Sequence, residues 1–260
     1  MSHHLLILGG TTQATALARA VNDAGIEAIF SYAGRVARPK KQPLPTRIGG
    51  FGGVSGLAGF IRENHISHVV DATHPFAVQM SRNAVEATNV THTPLIALTR
   101  PKWTAQSGDQ WHHVSDIAQA VDALGGAGQN VMLAIGRMHL DAFAAQPQHH
   151  YLLRLVDAPT DQVPLPNHTT IVDQGPFAVE DDIALMRAHS IQLVVAKNAG
   201  GSGARAKIDA ARALGIPILM IDRPAIPARS EVATPREIFE WLDHSGTDSG
   251  TDEAGTERGV

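Results

Sequence analysis

The stretch Leu5-Leu6-Ile7-Leu8-Gly9-Gly10-Thr11-Thr12-Gln13 constrains the fold more than any other part of the chain. Four consecutive aliphatic residues without polar alternation predict a strand buried on both faces, as in a parallel sheet covered by helices on either side. Two glycines stop the run. Ala14, Leu17, Ala18 and Val21 then recur at helical spacing as far as Gly25. Strand, glycine turn and helix make the opening unit of a nucleotide-binding fold. The helix N-terminus offers unpaired N–H groups and a partial positive charge, and glycine lets a phosphate approach the backbone.

The rhythm continues along the first half. Glu27–Tyr32 predicts a second strand, running into Gly34-Arg35-Val36-Ala37-Arg38. NAD-specific sites place an acid at the end of this strand for the ribose 2′-hydroxyl. Here Ser31, Arg35 and Arg38 stand there instead, a hydroxyl and guanidinium groups suited to a 2′-phosphate. A solvated basic turn leading into Pro39-Lys40-Lys41 is the equal alternative from these residues alone. Gly49-Gly50-Phe51-Gly52-Gly53 then precedes a helix marked by Leu57, Phe60 and Ile61. So many glycines sacrifice backbone order, which suits a backbone wall against a cofactor; a surface loop is the alternative. A buried strand ends on Asp71-Ala72-Thr73-His74-Pro75. Ligands of open α/β sheets sit beyond strand carboxyl ends, which places Asp71, Thr73 and His74 for chemistry, although Asp, Thr and Pro also start helices. A helix over 76–87 and a strand over 94–101 close this half.

The polar stretch 102–109, flanked by Trp103 and Trp111, predicts the domain junction. The second half repeats the pattern: a helix over 116–124 capped by Ser115, and strands at 130–135 (ending on Gly136-Arg137), 151–156 and 170–173. A helix over 179–189 and a strand at 193–196 follow. That last strand ends at Lys197-Asn198-Ala199-Gly200-Gly201-Ser202-Gly203, ahead of Ala204-Arg205-Ala206-Lys207, the best anion site of this half. After a strand at 217–222, Thr234-Pro235-Arg236-Glu237 has the spacing of a capping box. The expected organisation is α/β: two Rossmann-like three-layer domains, 1–102 and 103–244, with mostly parallel sheets facing each other across a cleft, and a disordered tail over 245–260.

Several chemistries are excluded. With no cysteine there are no disulfides and no thiolate zinc sites, which fits a reducing cytoplasm. No apolar run approaches about 18 residues, so a soluble cytoplasmic protein is expected. A net charge of −4 gives no global attraction to nucleic acid or membrane, so an anionic ligand must be met by local Arg, Lys or N–H groups. The fourteen histidines include adjacent pairs whose side chains diverge, and no metal site is expected. Neither a Gly-x-Ser-x-Gly elbow nor a Walker A sequence is present. Neither Tyr32 nor Tyr151 has Lys four residues on, against a short-chain dehydrogenase.

Taken in order, Leu8-Gly9-Gly10-Thr11, Ser31-Tyr32-Ala33-Gly34-Arg35, Gly49-Gly50-Phe51-Gly52-Gly53, Asp71-Ala72-Thr73-His74-Pro75-Phe76-Ala77 and Arg100-Pro101-Lys102-Trp103 form a specific combination. Gln174-Gly175-Pro176-Phe177, Lys197-Asn198-Ala199-Gly200-Gly201 and Arg223-Pro224 extend it. Together they resemble the precorrin-6A reductases of cobalamin biosynthesis over nearly the whole chain except the tail. The departures are Thr12-Gln13, where the family often has a small residue and an acid, and Asn198, where serine is common. The resemblance implies NADPH-dependent reduction of one carbon–carbon double bond in precorrin-6A to give precorrin-6B, without metal or flavin. Its implied cofactor contacts are Gly9, Gly10, Thr11, Gln13, Ser31, Arg35, Gly50, Phe51, Gly52 and Thr73. Its implied catalytic residues are His74, Lys197 and Asp71; Arg137, Lys197, Asn198, Gly201 and Arg205 would hold the polycarboxylate substrate. The proton donor is His74, Lys197 or a bound water. The tetrapyrrole-derived substrate is the expected partner, with neighbouring enzymes of the pathway as further candidates. A cobalt-bearing precorrin-6A is the alternative substrate, and a non-enzymatic NADP(H)-sensing protein the alternative function.

Overall fold

The first hundred residues fold as β1 (His4–Leu8), α1 (Thr12–Asp23), β2 (Glu27–Tyr32), β3 (Thr46–Ile48), α2 (Gly53–Glu63), β4 (His68–Asp71), α3 (Val78–Thr91) and β5 (Leu95–Leu98). The computed structural model describes residues 3–34, 39–159, 161–173, 175 and 177–245. Arg35, Arg38, Gln174 and Pro176, with the expected tail beyond residue 245, lie outside the described residues. β1 pairs in parallel with both β2 and β4. Its alternate side chains enter different cores. Leu5 and Ile7 join Leu17 and Val21 of α1, while Leu6 and Leu8 join Leu57 and Ile61 of α2 and Ala84 and Ala87 of α3. Each such aliphatic side chain contributes roughly 1.5–3 kcal/mol by leaving water. That burial makes the end of β1 a firm platform for the glycine turn.

A second set comprises β6 (Trp111–Val114), α4 (Ile117–Asp122), β7 (Asn130–Ala134), two 3₁₀ turns (Arg137–His139 and Asp141–Ala145) and β8 (His150–Leu155). β9 (His168–Val172), α5 (Val179–Ala188), β10 (Leu193–Lys197), α6 (Ala206–Leu214) and β11 (Ile218–Ile221) complete it. Met132, Leu152, Val194 and Met220 from its strands share a core with Met186 of α5, Ile208 of α6 and Trp103.

The chain then contributes β12 (Ser230–Val232) and α7 (Pro235–Ser245) to the first unit. The two units are 1–100 with 226–260, and 101–225. The expected boundary, which gave 103–244 wholly to the second domain, differs here. β12 pairs with the edge of β5, Ser230 opposite Ile96, and Ile238 and Leu242 of α7 bury against the α1 core. Without this return, the β5 ladder and one face of the first core would be left uncovered. The Thr234–Glu237 capping box forms as expected, the Glu237 carboxylate accepting from Thr234 N at 2.9 Å and Thr234 Oγ1 accepting from Glu237 N at 3.4 Å. At α4 the cap is Asp116, not Ser115: its carboxylate accepts from Gln119 N at 2.9 Å. α3 begins and ends a few residues later than the spacing predicts.

The sheets run β12-β5-β4-β1-β2-β3 and β6-β11-β10-β7-β8-β9, with every pairing parallel. In each, the winding direction reverses at one pair of neighbours, β1/β4 and β7/β10. Such a reversal opens a crevice at the carboxyl ends of those strands. No helix among the described residues is long and apolar enough to cross a membrane.

Candidate functional site

At the β1/β4 crevice the backbone itself forms the wall. A Cβ on Gly9 would sit 2.1 Å from the Phe30 ring, so only glycine lets β1 turn here. Gly10 follows at φ +124°, and nothing lies within 4 Å of where its side chain would be. Thr11 holds the turn from both sides: Oγ1 donates to Ala72 O at 2.8 Å and accepts from Ala14 N at 3.1 Å. It thereby caps α1 and ties the ends of β1 and β4 together. Gln13 Oε1 accepts from Arg100 Nη1 at 2.7 Å. Thr11, Gln13, Thr73, Thr99 and Arg100 line a shallow notch.

Asp71 lies at the end of β4 and is almost wholly buried. Its Oδ1 accepts from Thr73 N at 3.1 Å and Thr73 Oγ1 at 2.6 Å, and its Oδ2 accepts from Ser81 Oγ at 2.6 Å. Arg229, on the returning segment, completes the set as an ion-pair partner. The carboxylate expected to be catalytic is therefore the anchor of the Thr73–His74 turn. On that turn His74 Nδ1 accepts from Phe76 N at 3.2 Å, which puts the ring proton of the neutral imidazole on Nε2.

The glycine-rich stretch after β3 is organised by Arg47, a residue the sequence reading missed. Its guanidinium donates to Ser31 Oγ at 2.8 Å, Gly49 O at 2.9 Å and Gly50 O at 3.0 Å. It also lies over the Phe51 ring, 3.8 Å from the centroid. Burial pulls its pKa below the usual arginine value. A cation thus stands beside Ser31 at the end of β2, where the sequence placed Arg35. Gly50 and Gly52 have nothing within 4 Å of a would-be Cβ. Open glycine backbone at two strand ends, with a guanidinium beside Ser31, suits a dinucleotide held close to the chain.

At the β7/β10 crevice the chemistry is cationic. The register sets Ala134 opposite Ala196, so the chain leaves β7 into Gly136-Arg137 beside the point where β10 ends on Lys197. Arg137 is exposed on its 3₁₀ turn. Burial pushes the Lys197 ammonium down to about 8. Asn198, expected to touch substrate, is buried, and its amide is given to Trp103: Oδ1 accepts from Trp103 N at 2.8 Å and Nδ2 donates to Trp103 O at 2.9 Å. Gly201 O accepts from Trp103 Nε1 at 2.7 Å. These two residues therefore fix the loop that presents Lys197. At Gly200, φ is +70° and a Cβ would lie 2.2 Å from Pro101 O, so that turn requires glycine. Arg205 pairs with Asp209 one turn along α6. Among the described residues, no three His, Asp or Glu side chains gather as a metal ion would require.

Residues 4–243 match the family model described as Precorrin-6x reductase CbiJ/CobK. A precorrin-6A reductase of Rhodobacter capsulatus is 56% identical over 95% of this chain and 98% of its own length. A cobalt-precorrin-6A reductase of Priestia megaterium is 31% identical over 93% and 97%. The solved structure of CobK precorrin-6A reductase superimposes with a TM-score of 0.90 at 56% identity, covering 94% of this chain and 97% of that one.

Proposed function

The chain belongs to the precorrin-6x reductase family and is an oxidoreductase of cobalamin biosynthesis, and from that premise we propose that it reduces one carbon–carbon double bond of precorrin-6A with NADPH, giving precorrin-6B. The observation that carries the cofactor choice is Arg47 beside Ser31, with no acid at the end of β2. NAD-specific sites use a carboxylate there, and a guanidinium suits the 2′-phosphate instead. The higher identity to a reductase named for cobalt-free precorrin-6A favours a cobalt-free substrate.

NADPH supplies a hydride, and the protein supplies position and a proton. Gly9, Gly10, Gly50 and Gly52 offer backbone N–H groups and close approach. Asp71 holds the Thr73–His74 turn in one shape beside that wall. Arg137 and Lys197 attract substrate carboxylates to the second sheet. Adding hydride to one carbon of the double bond leaves the adjacent carbon needing a proton. Lys197 is the donor we favour, because burial brings its ammonium close to the working pH. His74 is the second candidate donor, as an imidazolium whose Nδ1 has taken a proton and released the hydrogen bond from Phe76 N.

The test is a spectrophotometric assay of precorrin-6A reduction with NADPH against NADH. Turnover with strong NADPH preference supports the reading. Equal use of NADH overturns the 2′-phosphate assignment, and no oxidation of either nucleotide overturns the reductase reading for this substrate.

A further inference from the structure

Lys197 opens a stretch whose composition does little to hold it. Asn198-Ala199-Gly200-Gly201 follows, and the two glycines turn at φ +70° and +72°. Glycine raises the conformational entropy that a fixed loop must overcome. Yet Lys197 is held where burial pulls its ammonium below the ordinary lysine value. Trp103 holds the Asn198 side chain and Gly201 O, which leaves the backbone at Asn198 and Ala199 to be fixed by another group.

Arg223 meets that need. The β10/β11 register sets Lys197 opposite Ile221. Asn198 N donates to Ile221 O and Asp222 N to Val114 O, each at 2.9 Å, so Arg223 leaves a ladder that is still paired. Its Nε donates to Asn198 O at 3.0 Å and its Nη2 to Ala199 O at 3.1 Å. Asn198 and Ala199 are both buried, and a buried carbonyl left without a donor is costly. Ala199 N donates to Lys197 O at 2.7 Å, closing a three-residue turn at the strand end. A Cβ on Gly200 would lie 2.5 Å from Arg223 Nη2, so the turn has room for the guanidinium only with glycine there. Two neighbouring carbonyls on one planar fork suit arginine better than lysine. The other charged groups at the adjoining strand ends are Arg137 after β7 and Asp222 after β11, and Asp222 pairs with His113 at 2.8 Å. We propose that Arg223 is a positioning residue for the reduction: by holding the carbonyls of Asn198 and Ala199 it fixes the turn that carries Lys197. The inference rests on Lys197 as the proton donor proposed above and assigns which residue keeps that donor in place.

The test uses the full chain with Arg223→Ala, Arg223→Lys and, as a stability control, Arg212→Ala, which breaks the ion pair of α6 with Asp109. For each, kcat and KM for precorrin-6A, kcat against pH, the NADPH Kd and the urea midpoint are measured. Lys197 is also followed without substrate, through its acylation by acetic anhydride against pH, read by peptide mass spectrometry. Arg223→Ala should lower kcat at least about tenfold with the NADPH Kd unchanged, since a misplacement of about 1 Å is enough for that. Its alkaline limb and its Lys197 labelling midpoint should both rise from about 8 toward 10.5, as the released ammonium regains water. Arg223→Lys keeps the charge and loses the fork, so it should show smaller shifts in the same direction. Arg212→Ala should lower the urea midpoint and leave kcat and the labelling midpoint as in the wild type. Unshifted kcat and labelling in both Arg223 variants overturn the proposal; where Arg223→Ala does not fold, unshifted values in Arg223→Lys overturn it. An equal kcat loss in Arg212→Ala, with the labelling midpoint of Arg223→Ala unmoved, shows general destabilisation and also overturns it. A raised labelling midpoint with wild-type kcat removes Lys197, and with it Arg223, from the reaction without touching the reductase reading. Absence of precorrin-6A turnover in the wild type defeats the functional reading itself.

Discussion

The two units share one strand order around their reversal points, yet the crevices differ in kind. In the first, the cations also tie the chain together: Arg47 holds Ser31 and two glycine carbonyls, Arg100 holds Gln13, and Arg229 holds Asp71. In the second, the loop is locked through Trp103 and Asn198, and the chemistry presented is Lys197 and Arg137. Backbone N–H groups and glycine suit a pyrophosphate held close to the chain. Separated cations suit carboxylates spread around a large ring. The same architecture serves both because specificity is carried by the strand-end loops rather than by the sheet.

The largest expected effect tests whether the first crevice depends on its internal ion pair. Asp71→Ala or Arg229→Ala leaves one buried charge uncompensated and should destabilise by ~3–5 kcal/mol in urea unfolding. The double replacement should cost less than the sum of the singles, and strict additivity would show that the pair is not coupled. Next comes Lys197 in the second crevice. Lys197→Ala should lower kcat by ~10²-fold or more while leaving the NADPH Kd unchanged. Because burial holds Lys197 near 8, the active ammonium is present below that pH, and the rate should fall as pH rises through about 8. An alkaline limb that persists in Lys197→Ala would assign the proton to another group, with His74 first in line. Stability moves in the opposite sense. The folded state disfavours the charged lysine, so its destabilising contribution is present below about 8 and is relieved as pH climbs toward the ordinary lysine value of 10.5.

The sequence made some of this legible and not the rest, for physical reasons. β1 announces itself because burial on both faces demands an unbroken aliphatic run, and β4 carries a shorter one, Val69-Val70, within a fully buried strand. β3, β6 and β12 are three- or four-residue edge strands with one face or more in solvent, and they carry no such run. Missing β12 is what misplaced the last stretch of the chain. The crevice glycines were readable because backbone geometry is a local demand. Side-chain roles were less so, since they depend on remote partners: Asp71 meets Arg229 across 158 positions and Asn198 meets Trp103 across 95. Asp71 ends β4 and Asn198 follows β10, and the structure gives both side chains to anchoring. Arg47 lies only 16 positions from Ser31, yet nothing in the sequence alone sets β3 beside β2.

A smaller effect probes how tightly the glycine turn of the first crevice is set. Gly9→Ala pushes a methyl group into the Phe30 ring and should cost ~1–3 kcal/mol by overpacking. Phe30→Leu in the same chain should recover part of that loss, and a Gly9→Ala variant as stable as the wild type would show that the ring moves aside freely.

The smallest expected effect is the sharpest for the comparison between crevices, because it asks whether a cation in the first one reads the ligand as well as the loop. Arg47→Ala removes both the fork onto Gly49 and Gly50 and the charge beside Ser31. If Arg47 only shapes the loop, affinity for NADPH and NADH falls by the same factor. If its charge also meets the 2′-phosphate, NADPH affinity falls about tenfold more than NADH affinity. Arg47→Lys separates the two contributions: it keeps the charge and loses the planar fork, so it should retain much of the NADPH preference while weakening both nucleotides. Paired titrations of the two variants decide the matter. An equal loss for both nucleotides would make the first crevice a neutral backbone site throughout and return the choice of NADPH to Arg35 or Arg38.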